Sequence, residues 1–343
     1  MNDIIETVPQ TYLDTTVRRR IEVQGVAFDE AFVGASLIAK HLTDTKGHVR
    51  PTITTAFEIY MHENASANRR KFRQNATLYF KYFYDMFGDI PLDELKHHHI
   101  TRYRDHQLAR GLRTSSVRKH NNMLNAMITL AFKHLDIDRL SPFRALTIKG
   151  EGVDARRIPL ITEAMLTQVK ARLLQCDAPY RWIALIQLNT GMRVSEPALA
   201  RLDDLVLKHE IPHLWVRPNA LTDRKTKASV RAVPLVGVAL MAAKKLHHAA
   251  KARGSEWLAP TYAREDGNSS CSATINKALR DLNFRSHMFR HAFVDRLKAC
   301  SDIPTRIAEA LTGHSRGGSD FDHYGTVGYT LEQKLAVIRR VAL

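Results

Sequence analysis

The chain has 343 residues, of which 44% are hydrophobic and 25% charged, a composition typical of a soluble globular protein large enough for two domains. Lysine and arginine outnumber aspartate and glutamate by 51 to 35, which gives a formal net charge of +16 at pH 7. This excess favours a polyanionic partner, most simply nucleic acid, over a merely basic enzyme. No uninterrupted apolar run is long enough to cross a bilayer, so we expect no membrane contact.

The cellular compartment is indicated by the N-terminus and the cysteines. The first residues lack the basic start and apolar run of a signal peptide. Cys176, Cys271 and Cys300 are scattered without paired spacing, which argues against a disulfide framework and against a cysteine–zinc site. We therefore expect a protein of the reducing cytoplasm.

Residues 1–48 carry the weakest pattern and are interpreted as an N-terminal extension of unknown role. Arg18-Arg19-Arg20 followed by Ile21-Glu22-Val23 indicates a short strand, and residues 31–42 indicate a helix. The three arginines either form a solvated surface or contact DNA.

Residues 49–148 are predicted to be mostly helical. Apolar residues recur at helical spacing after Thr52, from Phe72 to Met86, and from Ile100 to Ala109. A further helix is expected after a cap at Ser115 or Ser116. Because aromatic residues at this spacing usually form a core, the aromatic stripe is interpreted as packing rather than as a platform for bases.

Basic side chains interleave with these stripes, and they are the candidates for DNA contact. They are Arg69, Arg70, Lys71, Arg73, Arg113, Arg118 and Lys119. A small helical domain with basic loops is suited to holding the backbone of a duplex. We therefore predict a helical core DNA-binding domain over residues 49–148.

Residues 149–159 contain glycines, a proline and charges without any period, so we predict a linker there. After it, Thr162 and Glu163 begin an amphipathic helix. Three β segments follow, at Leu205–Leu207, Leu214–Val216 and Val230–Leu235. The pattern is helical again from Leu240. We therefore expect an α+β, mostly helical chain, in which residues 160–343 form a mixed domain with a small antiparallel sheet.

A set of five side chains suggests chemistry on a phosphodiester, whose negative charge repels nucleophiles and must be neutralised. Arg193 and Arg290 are candidates for binding the non-bridging oxygens, because a guanidinium binds phosphate bidentately. His287 stands three residues before Arg290, so a helix would place both on one face. Tyr324 offers a phenol that can form a covalent link, and Lys225 can act as a general acid.

Any one of these residues alone is more often structural, but their order and local context resemble the tyrosine recombinase (phage-type integrase) family. The resemblance covers residues from about 160 to 325. It rests on five elements, which are Thr190-Gly-Met-Arg193-Val-Ser-Glu196, Lys225-Thr-Lys227 with Arg231-Ala-Val-Pro234-Leu235, His287-Met-Phe-Arg290-His291, Leu311-Thr-Gly-His314-Ser315, and Tyr324 ten residues after His314.

The resemblance implies a role for each residue. Arg193 and Arg290 would bind the scissile phosphate, and His314 would donate a hydrogen bond to one of its oxygens. Lys225 would protonate the departing 5′ hydroxyl, and His287 would assist proton transfer at the tyrosine. The remaining implied roles are Tyr324 as the nucleophile that forms a 3′-phosphotyrosine and Glu196 as a supporting residue that does not touch DNA. Neither a nucleotide cofactor nor a metal is implied, because the cationic side chains supply the electrostatic stabilisation.

Two assignments have rivals, and several positions depart from the family pattern. Lys227 competes with Lys225, although the register to Pro234 favours Lys225. Tyr329 competes with Tyr324, although its spacing from His314 is long for the family. The departures are Pro197 and Thr312, where the family usually has larger aliphatic residues, and Asp320 and Asp322, which place acid near the nucleophile.

Two further motifs each have a simple structural interpretation. The run His97-His98-His99 is a weak metal candidate, because adjacent histidines alternate faces and no acid or cysteine stands at a useful spacing. The apolar stripe formed by Leu331, Leu335, Ile338 and Val341 either packs on its own domain or docks on a neighbouring protomer.

The function predicted from these observations is site-specific DNA recombination. The expected partners are double-stranded recombination sites, other copies of the chain in a tetramer, and accessory DNA-bending factors, with the protein associated with the nucleoid. The extension of residues 1–48 favours an integrase of a mobile element over a Xer-like resolvase. The same pattern is also compatible with a non-catalytic DNA-binding regulator on this fold and with a type IB topoisomerase.

Overall fold

The structure is a computed structural model that describes residues 50–155, 158–222, 230–313 and 328–343, together with two strands near the N-terminus. The chain divides into two compact units, Met1–Arg157 and Ile158–Leu343. Within the described ranges, no helix combines the length and apolar character needed to cross a membrane. The helix expected over residues 31–42 lies outside the described residues.

The described part of the first unit consists mainly of helices, with two short strands near the N-terminus. Its two short strands, β1 and β2, pair antiparallel with Arg20 opposite Asp29. Its elements are β1 (Arg20–Val23), β2 (Val26–Asp29), α1 (Ile53–Glu63), α2 (Arg70–Phe87), α3 (His97–Ala109) and α4 (Thr114–His134). The three helices predicted from apolar spacing after Thr52, Phe72 and Ile100 are confirmed.

The core of the first unit is built around aromatic rings from α2. The ring centroid of Phe83 lies 5.3 Å from that of Tyr103 and 5.4 Å from that of Phe143, and all three side chains are buried. Phe57 of α1 stacks on Phe80 at 4.4 Å. The aromatic stripe therefore serves as core, as the helical spacing predicted.

The predicted cap of α4 at Ser115 or Ser116 is wrong. The helix begins at Thr114, so both serines lie inside its first turn. The backbone N–H of Thr114 donates to Oδ2 of Asp154 at 2.7 Å, and the Thr114 hydroxyl also binds this carboxylate. A carboxylate forty residues downstream therefore satisfies a helix-end donor, a role usually filled by a local serine.

The second unit places helices around a small sheet. Its helices are α5 (Glu163–Leu174), α6 (Pro179–Thr190), α7 (Ser195–Ala198), α8 (Gly237–Ala252), α9 (Gly267–Ala278), α10 (Ser286–Ala299), α11 (Thr305–Thr312) and α12 (Leu331–Val341). Short 3₁₀ turns occur at Leu202–Asp204 and Pro260–Tyr262. The hydroxyl of Thr162 accepts from the N–H of Met165 at 3.2 Å, which confirms the predicted start of α5.

The sheet consists of β3 (Leu205–Val206), β4 (His213–Val216) and β5 (Arg231–Pro234), in that order and antiparallel throughout. Leu214 lies opposite Leu205 on one side and Val233 on the other. All four residues of β5 are buried. The predicted fold class, mostly helical with a small antiparallel sheet, is confirmed.

Helix α6 lies at the centre of the second unit, and every residue from Ile183 to Thr190 is buried. The terminal helix α12 packs on the same unit through Val337, Ile338 and Val341. After it, the backbone N–H of Leu343 donates to Oδ1 of Asn189 at 2.9 Å, and Nδ2 of Asn189 donates to the carbonyl of Leu343 at 3.1 Å. Two members of the predicted apolar stripe, Ile338 and Val341, therefore pack on their own domain, which is one of the two arrangements predicted, whereas Leu331 and Leu335 are only half-buried.

Candidate active site

The turn after α6 is held in place by hydrogen bonds within the motif Thr190–Glu196. Gly191 closes the helix in the left-handed region, at φ +63°. The backbone N–H of Met192 donates to the hydroxyl of Thr190 at 3.3 Å, and Nε2 of Gln187 donates to the carbonyl of Met192 at 3.0 Å. The backbone that carries Arg193 is therefore fixed from two sides.

Arg193 combines a fixed backbone with an accessible side chain. Its N–H donates to Oε2 of Glu196 at 2.9 Å. Its side chain is 44% exposed, and Nη1 lies 3.5 Å from Oε1 of Glu196. A guanidinium held this loosely keeps donors available for an anionic ligand.

Arg290 is buried, in contrast to Arg193, and its exposed fraction is 5%. Nη1 donates to the carbonyl of Gly191 at 2.9 Å, and Nη2 donates to the carbonyl of Thr312 at 2.6 Å. Burial, and then the positive charge of Arg193, lower the pKa of Arg290 to about 10. The side chain therefore stays cationic at neutral pH and joins the ends of α6 and α11.

Glu196 is buried and binds Arg231 of β5 bidentately. Nη2 of Arg231 lies 2.8 Å from Oε2, Nη1 lies 3.1 Å from Oε1, and the two side chains are 3% and 1% exposed. Burial alone would raise the pKa of Glu196, but the charge and hydrogen bonds of Arg231, with the N–H of Arg193, hold it below its usual value of 4.5. Glu196 is therefore ionised and acts on the turn rather than facing solvent.

Arg231 belongs to one of the sequence motifs, but the sequence patterns alone assign it no role. A signal for it was present, because an arginine stands between Val230 and the apolar residues Ala232 and Val233 in a predicted strand. A charge is almost never buried without a partner. That signal called for a buried carboxylate elsewhere in the chain, and Glu196 is that carboxylate.

His287 lies one turn before Arg290 on α10, as the three-residue spacing predicted. Its ring lies 4.8 Å from that of His291, at an interplanar angle of 87°. Partial burial lowers the pKa of His287 below 6.5, and the nearby charges of His291, Arg290 and Arg193 lower it further. The imidazole is therefore mostly neutral at pH 7 and able to accept a proton.

Three of the predicted site residues, Lys225, His314 and Tyr324, lie outside the described residues. The rival Lys227 and the acids Asp320 and Asp322 lie outside them as well. The described chain reaches these segments at Thr222 and Val230, and at Gly313 and Gly328.

Two flanking residues of these segments are informative. Gly313 ends α11 at φ +67°, and a Cβ added there would lie 2.7 Å from Nη1 of Arg231. Gly313, the last described residue before His314, therefore lies directly beside the buried ion pair. Tyr329, the rival of Tyr324, is partly buried and packs against the hydrophobic core of the second unit.

The two departures from the family pattern that lie in the described residues, Pro197 and Thr312, are accommodated locally. Pro197 is buried in the first turn of α7, where proline lacks only an N–H that the helix would leave unpaired. Thr312 is buried, and its hydroxyl donates to the carbonyl of Ala308 at 2.8 Å. Neither substitution leaves an unsatisfied group in the described structure.

The candidate DNA-contacting residues of the first unit differ in exposure, since Arg118 is half-buried and the other six are exposed. Arg118 is engaged, because Nε donates to Glu151 at 2.8 Å and Nη2 donates to the carbonyl of Leu146 at 2.7 Å. Arg73 is exposed, and Nε donates to the carbonyl of Ala67 at 3.3 Å. The others, Arg69, Arg70, Lys71, Arg113 and Lys119, are exposed.

The histidine run lies at the start of α3, where Nδ1 of His97 is 3.1 Å from the carbonyl of Pro142 and Nδ1 of His99 accepts from the N–H of Lys96 at 3.1 Å. Across the part of the chain that the structure describes, no group of three or more histidine, cysteine, aspartate or glutamate residues is placed to hold a metal ion.

Comparison with known proteins gives a family and a fold. The sequence model of the phage integrase family matches residues 159–327. No curated protein sequence gives a significant match.

Three of the similar solved structures are integrases bound to DNA. The Tn1549 transposon integrase in complex with transposon right end DNA is 18% identical, with a TM-score of 0.62 over 85% of this chain and 100% of that one. The lambda integrase tetramer bound to a Holliday junction is 16% identical, with a TM-score of 0.59 over 78% of each chain. A lambda integrase dimer bound to a COC′ core site is 15% identical, with a TM-score of 0.57 over 78% of this chain and 75% of that one. At these identities the likeness establishes the fold.

Proposed function

Through residues 159–327 this chain belongs to the phage integrase family, and we propose that it is a tyrosine-type site-specific DNA recombinase. The observation that carries the proposal is the cluster of Arg193, Arg290 and His287. Residues from motifs almost a hundred positions apart lie close enough for both guanidinium groups to lower the pKa of the imidazole. Two positive guanidinium groups this close to each other are costly for a folded protein, and a bound phosphodiester would relieve their repulsion.

The two guanidinium groups would divide the work of binding the scissile phosphate. Arg290, held by the carbonyls of Gly191 and Thr312, would provide a preorganised positive charge that costs no rearrangement during the reaction. Arg193, with its accessible side chain, would close on a non-bridging oxygen when DNA arrives. His314 follows Gly313 directly in sequence and would donate a hydrogen bond to the same phosphate.

The reaction is a transesterification in which atoms and charge balance. The phenol oxygen of Tyr324 attacks phosphorus and loses its proton to neutral His287. The bond from phosphorus to the 5′ oxygen breaks, and Lys225 protonates that oxygen. The products are a 3′-phosphotyrosine and a free 5′ hydroxyl. Attack by the 5′ hydroxyl of another strand reverses the steps and releases Tyr324, so no nucleotide cofactor is consumed.

The proposed partners follow from the charge of the chain and from the similar proteins. The first unit, residues 49–148 in particular, would bind the duplex backbone through its seven candidate basic residues. Since lambda integrase forms a tetramer on a Holliday junction, we expect four copies of this chain to exchange strands between two sites. Accessory DNA-bending factors and a location on the cytoplasmic nucleoid belong to the same proposal.

The proposed biological role is integration of a mobile element. The Tn1549 and lambda proteins described above are integrases, and the first comes from a transposon. A reporter plasmid that carries candidate attachment sites tests this role against that of a resolvase. Recombination between an element end and a target site supports integration, whereas recombination confined to a resolution site contradicts it.

The chemistry is tested with a nicked suicide duplex, which loses the attacking 5′ hydroxyl after cleavage and so traps the covalent intermediate. Sequencing of DNA trapped on the protein in its host supplies the site for this duplex. We expect a covalent adduct on a denaturing gel for the wild type and for Tyr329→Phe, and none for Tyr324→Phe. A wild type that forms no adduct on its own site would point to a non-catalytic DNA-binding protein.

A further inference from the structure

The guanidinium of Arg231 joins two separate segments of the second unit. Besides its two contacts with Glu196, its Nε donates to the carbonyl of Leu311 at 2.8 Å. These three hydrogen bonds connect Arg231 to two partners, which are 35 and 80 residues away in sequence.

Each partner belongs to a segment that the reaction uses. Glu196 accepts the N–H of Arg193 at 2.9 Å, so its carboxylate fixes the backbone of one arginine of the phosphate site. Leu311 lies in the last turn of α11. The carbonyl of the following residue, Thr312, accepts a hydrogen bond from Arg290. Two arginines therefore bind consecutive carbonyls at the C-terminal end of α11, where unpaired carbonyls and the helix dipole favour cations.

The end of α11 is also fitted to Arg231 sterically. Gly313 has a φ of +67°, and a Cβ there would lie 2.7 Å from Nη1 and 3.0 Å from Cζ of Arg231. Any other residue would have to displace the guanidinium or the backbone that leads to His314. Close packing of this kind allows little variation in the distance between α11 and the turn that carries Arg193.

We propose that Arg231 is a positioning residue, whose guanidinium fixes the segment that carries Arg193 relative to the end of α11 that precedes His314. This inference rests on the proposed recombinase function and assigns Arg231 no contact with DNA. It acts through Glu196 and through the carbonyl of Leu311. A lysine would supply the same charge from one nitrogen and could not hold both partners in the same geometry.

A purely structural ion pair gives a different expectation from a positioning residue. If Arg231 only neutralised Glu196, Arg231→Lys would lower the melting temperature and leave the cleavage rate of the folded protein unchanged. If Arg231 sets the geometry, DNA affinity stays near the wild-type value, while the first-order rate of covalent adduct formation falls by about a hundredfold, as expected for a displacement of roughly 1 Å.

The matched control is Arg172→Lys. Arg172 also binds a carboxylate through two nitrogens, at 3.2 and 2.7 Å from the oxygens of Asp281. That pair joins α5 to the region after α9 at the surface, and no contact connects it to Glu196, Arg193 or Arg290 in the described chain. Arg172→Lys is expected to bind and cleave within about twofold of the wild type.

The experiment uses the nicked duplex that carries the site recovered from host DNA. Affinity is measured on the Tyr324→Phe background, and the cleavage rate is measured in single turnover at saturating protein, with circular dichroism to verify folding. If Arg231→Lys does not fold, Glu196→Gln takes its place, because it weakens the same pair and keeps an oxygen for the N–H of Arg193.

The outcomes separate this inference from the proposed function. A wild type without adduct overturns both. A wild type that forms the adduct, with a folded Arg231→Lys or Glu196→Gln variant that cleaves within about twofold of its rate, overturns the positioning role alone. The positioning role is supported if Arg231→Lys binds DNA with wild-type affinity but cleaves about a hundredfold more slowly, while Arg172→Lys cleaves at the wild-type rate.

Discussion

Arg290 donates a hydrogen bond of 2.9 Å from Nη1 to the carbonyl of Gly191, which stands ninety-nine residues earlier in the chain. This bond joins two motifs that the sequence keeps far apart. The side chain of Phe293, one turn after Arg290 and fully buried, occupies the space that a Cβ at position 191 would need. The position of Arg290 therefore depends on a residue that has no side chain.

The first prediction concerns Gly191→Ala. The new Cβ would lie 2.4 Å from Cδ1 of Phe293, and the backbone would keep a φ of +63°. The left-handed conformation costs about 1–2 kcal/mol for alanine, and overpacking against a buried ring costs a further 1–3 kcal/mol, roughly. Urea denaturation should show the sum of these losses.

Gly254→Ala is the control for Gly191→Ala. Gly254 has a φ of +60°, and nothing lies within 4 Å of a Cβ added there. This variant should lose only the backbone part, about 1–2 kcal/mol. Equal losses for the two variants would show that Phe293 does not restrict Gly191.

The sequence predicted those parts of the site that depend on short spacing. His287 and Arg290 share a helix face because three residues separate them, whereas the role of Arg193 stays a prediction that rests on the residues around it. The start of α5 at Thr162 and the three strands were also predictable, because caps and alternation are local signals.

Long-range partners could not be predicted in the same way. Nothing near Arg231 in sequence indicates that its carboxylate stands 35 residues earlier. For the same reason the sequence pattern places the start of α4 wrongly, because the N–H of Thr114 donates to Asp154, which stands forty residues downstream. Tertiary contacts decide such positions, and a single sequence does not contain their geometry.

The second prediction concerns the buried pair of Glu196 and Arg231. Glu196→Gln leaves the guanidinium of Arg231 without a compensating charge in a site that is almost completely buried. Loss of one partner from such a pair typically costs about 3–5 kcal/mol, and we expect a loss near the lower end because glutamine retains an oxygen. Denaturant unfolding measures it.

The double variant Glu196→Leu, Arg231→Met is the control for that prediction. Removal of both charges avoids a stranded ion, and apolar replacements of buried pairs are often neutral for stability. The double variant should therefore be more stable than Glu196→Gln. If it is less stable, the cost of Glu196→Gln does not arise from an uncompensated charge.

The third prediction is the pH dependence of His287. Burial and the charges of His291, Arg290 and Arg193 lower its pKa, so in the free protein its proton should be lost below pH 6.5. Arg193→Gln removes one of the positive charges, and the midpoint should move upward toward 6.5. NMR titration of the imidazole measures both values.

The sign of this effect also bears on activity. A proton acceptor must be neutral, so cleavage by the wild type should increase as pH rises through the His287 midpoint and then level off. A titration midpoint above 6.5 in the free protein, or a downward shift in Arg193→Gln, would contradict the electrostatic description of the site.

The fourth prediction separates the basic residues of the first unit by the salt dependence of DNA binding. Lys119 is exposed, and if it binds a phosphate, Lys119→Gln should reduce the slope of log affinity against log salt by about 0.9. Arg118 is already engaged by Glu151, so Arg118→Gln should change the slope less. Fluorescence anisotropy at several salt concentrations provides the slopes, and the reverse order would contradict the assignment.

The most direct test of the central claim is to locate the DNA on the protein after cleavage. The covalent complex from the suicide duplex is digested with nuclease and protease, and mass spectrometry identifies the peptide that carries the nucleotide. We predict a 3′-phosphotyrosine at Tyr324. The proposed mechanism would be contradicted if the nucleotide were found on Tyr329 or on another residue. It would also be contradicted if the protein bound the site tightly and carried no nucleotide at all.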